Sequence, residues 1–161
     1  MKIAIIVHSL TGSTLQMAKL IEGKLVKAGH IVNLTQLQTN VPVKTGSIHQ
    51  PMAFEITNLP DVTEFDAVIA GGPVWAFGPS TIAYKAISTL FGLKGKKLLP
   101  FVTMGFPLRG MGGTSAVKHM SKAAAENGAI VLQGVIVPKM FHNFELLMEQ
   151  GAEDCVNFIN H

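Results

Sequence analysis

A chain of 161 residues, 48% hydrophobic and 14% charged, is sized for one domain spanning 1–161 with a substantial core, which excludes a disordered polymer. The net charge of +3 comes from basic residues scattered singly, apart from Lys94-Gly95-Lys96-Lys97, which reads as a solvated turn; no stripe or reading helix for nucleic acid results. No apolar run is long enough to cross a membrane, the lone Cys155 excludes an internal disulfide, and Met1-Lys2 leads directly into a strand-like run, so a cytoplasmic protein is the expectation.

Ile3-Ala4-Ile5-Ile6-Val7 has the β-branched richness of a strand buried on both faces. Leu15, Ala18, Ile21 and Leu25 then recur at helical spacing, and Ala28-Gly29-His30 supplies a stop. Ile31 to Leu37 alternates as a half-exposed strand would. Asn40 to Asp61, broken by Pro42, Gly46, Pro51 and Pro60, is irregular; a short helix, a cover over a site and a subunit contact are its open readings. Phe65 to Gly71 predicts a third, buried strand, Gly72 to Pro79 a loop, and Ile82 to Leu90 a helix. Lys97 to Thr103 predicts a fourth strand with a bulge or an end at Pro100. A loop with four glycines, Met104 to Gly113, leads to a helix over about Thr114–Asn127. Ile130 to Val137 predicts a fifth strand weakened at Gln133-Gly134, and Asn143 caps a final helix.

Five alternations of strand and helix predict an α/β fold: three layers, with a doubly wound five-stranded parallel sheet between helices. Ligands of such sheets bind beyond the carboxyl ends of the strands. Three loops with chemistry fall on that edge: Ser9–Thr14, Gly72–Pro79 and Met104–Gly113.

The first of these crowds the hydroxyls of Ser9, Thr11, Ser13 and Thr14 around Gly12, where a strand hands over to a helix. Unpaired N–H groups and the positive dipole end make a helix start an anion site, and added hydroxyls suit a phosphate. Simple capping by Ser13 or Thr14 is the competing reading, although a cap explains one hydroxyl rather than four. Gly12 is followed by Ser13, not the Lys a P-loop needs, and no G-x-G-x-x-G follows the first strand. The six histidines show no metal-binding spacing.

At these residues the chain resembles the flavodoxin-like family of FMN proteins over nearly its whole length. Ser9-Leu10-Thr11-Gly12-Ser13-Thr14 matches the family's phosphate pattern, Ser/Thr-x-Thr-Gly-x-Thr, and Asp66 to Trp75 looks like the family's third strand and first flavin loop. The resemblance implies strand order 2-1-3-4-5 and FMN as cofactor. It implies that Ser9, Thr11, Ser13 and Thr14 hold the phosphate by hydroxyls, with the backbone of Leu10 and Gly12. The first flavin loop would be Pro73, Val74, Trp75, Ala76, Phe77 and Gly78, and the second would run through Thr103, Met104, Gly105, Phe106, Arg109 and Gly110.

A flavin ring needs apolar surfaces on its faces. Trp75 is the favoured contact over Phe77, since a loop indole is costly unless covered, and Phe106 is a further candidate. Neither flavin loop carries a carboxylate, unlike those of acidic electron carriers; Arg109 stands there instead and is expected to raise the flavin's reduction potential. Its competing reading is an exposed loop arginine. No residue is assigned as catalytic. His142, beyond the fifth strand, is a candidate proton donor but reads more readily as an ordinary core or surface histidine.

Two functions remain nearly balanced: a one-electron carrier between protein partners, and an FMN-dependent NAD(P)H oxidoreductase acting on quinones or other small acceptors. A scaffold that has lost the flavin is a third, disfavoured by the intact hydroxyl loop. A homo-oligomer is compatible with each.

Overall fold

The structure is a computed structural model that describes residues 1–161. Its elements are β1 (Lys2–Val7), α1 (Ser13–Lys27), β2 (Ile31–Gln36), β3 (Ala67–Trp75), β4 (Gly78–Pro79), α2 (Thr81–Thr89), β5 (Lys97–Met104), α3 (Gly113–Glu126), β6 (Ile130–Val131), β7 (Val135–Pro138) and α4 (Phe144–Asn160). The main sheet runs β2-β1-β3-β5-β6, with β7 continuing the edge beside β5; every one of these pairings is parallel. Taking β6 and β7 as one interrupted strand, this is the expected order 2-1-3-4-5.

Each face of the sheet carries its own core. Ile3, Ile5 and Val7 face α1 and α4, joining Met17, Ile21, Leu25, Met148, Cys155 and Ile159. Ala4, Ile6, Val68 and Ala70 face the other way, toward Ile82, Ala86 and Ile87 of α2 and Ala116, Met120 and Ala124 of α3. The period-two alternation of side chains along each strand distributes a continuous apolar run between both layers. No helix is long and apolar enough to cross a membrane.

Three segments differ from the sequence reading. The third strand does not end at Gly71; β3 continues to Trp75 and turns back as β4, pairing Val74 with Pro79 and Trp75 with Gly78. The turn residues Ala76 and Phe77 have φ of 48° and 59°. Two-residue hairpins demand such values, normally at Asn or Gly, so nothing in the sequence signalled this one. Secondly, β5 passes through Pro100 without a break, pairing it with Ala70. The interruption lies instead in the neighbouring strand, where the ladder stops at Val131 and resumes at Val135, alongside Pro100. Thirdly, segment 40–61 forms no helix; Thr39 bridges Ile56, and Phe54 and Val62 plug into the core beside α2.

Candidate functional site

The carboxyl ends of β1, β3 and β5 deliver the three loops to one edge, as the topology requires. In the first loop, Ser9 does not stand free. Its Oγ accepts the N–H groups of Gly12 and Leu15, each at 3.2 Å, and so braces the turn into α1. Gly12, at φ 95°, takes the N-cap position, and neither Ser13 nor Thr14 caps the helix. Capping therefore falls to Ser9 from outside the helix. The N–H groups of Leu10, Thr11, Ser13 and Thr14 have no acceptor within the protein. Thr14 is buried, and its hydroxyl shares a 2.7 Å hydrogen bond with that of Thr103. That bond ties the floor of the loop to β5.

Thr11 and Ser13 line a pocket of about 140 Å³ together with Pro73, Val74, Thr103, Met104, Gly105, Lys139 and Phe144. Unpaired N–H groups, hydroxyls and the Lys139 ammonium give this pocket a donor set suited to an anion. Lys139 adds a charge to a donor set in which the sequence signals only hydroxyls and backbone groups. The residue is placed by its backbone, whose N–H donates to the Met104 carbonyl at 2.9 Å, and its Nζ lies 5.5 Å from the Phe144 ring centre.

Through Val74, Met104 and Gly105 this pocket adjoins an apolar cleft of about 360 Å³, completed by Ala76, Phe77, Phe106, Met111 and Met140. The Phe77 and Phe106 rings are parallel within 2°, with centroids 5.7 Å apart. A planar ring between them would need ~7 Å at about 3.5 Å per face, so the pair forms one wall of the cleft rather than two. Left-handed backbone at Ala76 and Phe77 costs roughly 1–2 kcal/mol per residue, and it holds Phe77 outward at 60% exposure.

Trp75 is not the ring that faces the cleft. It is 5% exposed, packed in the α2–α3 core and edge-on to His8 at 4.9 Å, and it lines neither the pocket nor the cleft. Arg109 does not line the cleft: its Nε donates to the Ile136 carbonyl at 3.4 Å, and it lines a separate crevice with Gln150, Gly151 and Asp154 of α4. Leu10 and Gly110 lie on the exposed outer side of their loops, and Gly78 belongs to the hairpin. His142 donates from Nε2 to the Pro107 carbonyl at 2.8 Å, and the Met140 N–H reaches the Gly105 carbonyl at 3.0 Å. These bonds make 139–142 a third loop clipped to the second. No group of three or more potential metal ligands occurs.

A family profile described as NADPH-dependent FMN reductase matches residues 1–142. The chain belongs to that family. No curated protein matches the sequence. Among solved structures the family member is similar to oxidised flavodoxin 1 from Bacillus cereus, with 21% identity, 100% of this chain and 99% of the other covered, and a TM-score of 0.69. A flavodoxin of Streptococcus pneumoniae TIGR4 matches at 18% identity, 98% and 99% coverage and TM-score 0.66. A flavoprotein in complex with FMN from Lactobacillus acidophilus NCFM matches at 17% identity, 84% and 92% coverage and TM-score 0.61. The protein is a flavodoxin-like redox protein with FMN as its cofactor. The donor set fits that group: an anion pocket suited to a phosphate ester opens onto an apolar cleft suited to a flat ring.

Proposed function

We propose that this protein is an FMN-dependent oxidoreductase that takes a hydride from NAD(P)H and passes the electrons to a small planar acceptor of the quinone class. The observation that carries the reading is the wall of the apolar cleft, which contains no ionisable side chain and stands open beside the anion pocket. Thr11, Ser13, the loop N–H groups and Lys139 would hold the phosphate, and Phe77, Phe106, Met111 and Met140 would cover apolar surface. When bound, FMN supplies hydride acceptance at its N5 and subsequent electron transfer. No carboxylate lines the cleft to oppose the negative charge that arrives with the electrons. With no proton donor in the wall, protons for the acceptor would come from solvent. His142 is committed to Pro107 and serves to hold the second loop in place.

The likeness to flavodoxins along their full length favours a second reading, a one-electron carrier between proteins. Anaerobic rapid mixing of the FMN-loaded protein with NADPH and with NADH separates the two. The oxidoreductase reading expects direct bleaching of the flavin absorbance within seconds. Bleaching only after a separate reductase protein is added would overturn it in favour of the carrier.

A further inference from the structure

A second cavity, of about 370 Å³, lies between segment 41–54 and the first turn of α2 and shares no residue with the pocket or cleft described above. Its wall includes Thr81, which is 5% exposed and carries the one buried side-chain oxygen in the protein without a hydrogen-bond partner. Helix α2 is nine residues long, and Ser80 at its N-cap takes the Ala83 N–H on its hydroxyl. The N–H group of Thr81 finds no acceptor among the loop and cap hydrogen bonds. The Thr81 hydroxyl and N–H therefore stand unmet at the positive end of a helix dipole, where buried helix ends ordinarily find partners.

The rest of the wall fits a negative partner. Lys44 lines the cavity and makes no ion pair, and no carboxylate lines it. Thr45, Ser47 and Gln50 add polar groups, while Val43, Met52 and Phe54 offer apolar surface. Glu55, the nearest acid along the chain, is drawn to Lys85 instead. We infer that this cavity is a second ligand site for a small monocarboxylate with an apolar body: its head meets Thr81 and Lys44, and its body meets Met52 and Phe54. The volume lies at the lower end of the range for small-molecule sites.

The inference is tested on the FMN-loaded protein by amide NMR, titrating sodium benzoate and, in parallel, inorganic phosphate. Saturable benzoate shifts are expected at Thr81, Ile82 and along 41–54, with apparent Kd raised at least about fivefold in Thr81→Val and in Lys44→Gln. The flavin absorbance of both variants should match the parent's. Thr81→Val also removes a buried, unpartnered hydroxyl, so its ligand-free Tm should rise by a few degrees. Absence of saturable shifts, shifts confined to Thr11, Ser13 and Lys139, phosphate binding as tightly as benzoate, or unchanged affinity in both variants would overturn the inference.

Discussion

Gly112 and Phe77 meet with no room between them: a methyl group on Gly112 would lie 2.8 Å from the Phe77 Cα and 2.8 Å from the Val74 Cγ1. Gly112 also sits at φ 112°, where side chains are rarely tolerated. The start of α3 therefore presses directly on the strained hairpin that holds the Phe77 ring outward. Gly112→Ala should cost about 2 kcal/mol or more of stability and weaken FMN binding, as the two loops are forced apart. Urea denaturation and flavin titration read both effects; a stability loss under about 0.5 kcal/mol would mean the loops are not in this contact.

Lys139 lines the anion pocket at the end of β7, and its charge should contribute to phosphate affinity. Lys139→Gln is expected to weaken FMN binding about tenfold, equivalent to ~1.4 kcal/mol. The difference between variant and parent should shrink as salt rises, because the lost term is electrostatic. Isothermal titration at low and high salt measures it.

His8 follows β1 directly, packs against Trp75 and pairs through Nδ1 with the Ser80 hydroxyl at 2.6 Å. Burial lowers its pKa from 6.5 to about 4. Between those values the unfolded chain binds the proton and the folded chain does not, so stability falls as pH drops from about 6.5 toward 4 and this contribution levels off below. The ceiling on the loss is about 3 kcal/mol. Denaturation across that window should show a shallower slope for His8→Gln than for the parent. Equal slopes would mean that the imidazole is protonated as readily in the folded protein.

Sequence alone leaves Arg109 open between raising the flavin's reduction potential and being an ordinary loop arginine, and its position in the structure favours the second outcome. With its guanidinium directed at Ile136 and the α4 crevice, Arg109→Ala should leave the flavin midpoint potential unchanged. Redox titration of the two proteins decides; a clear fall in the variant would show that the charge acts on the ring.

The sheet was legible because apolar runs such as Ile3–Val7 and Ala67–Ala70 are buried on both faces, and a one-residue slip would have exposed nothing polar to contradict them. The turn into α1 was legible because its hydroxyls crowd one glycine beside a helix start. What stayed hidden depends on contacts distant in sequence. Trp75 is the last residue of a strand that ran on past Gly71, so it fell into the core and left Phe77 to the surface. Lys139 carries no motif, and only the pairing of β7 with β5 brings it beside Thr11 and Ser13. Pro100 looked like a breaker, yet the ladder is interrupted in the strand opposite it, where Gln133-Gly134 already marked a weak point.

Binding of the complete cofactor compared with its dephosphorylated form bears most directly on the arrangement of pocket and cleft. Apoprotein titrated with FMN and with riboflavin, followed by flavin fluorescence, should bind FMN at least about a hundredfold more tightly, since only FMN carries the phosphate for Thr11, Ser13, the loop N–H groups and Lys139. Equal affinity for the two flavins, or no binding of FMN, would contradict it.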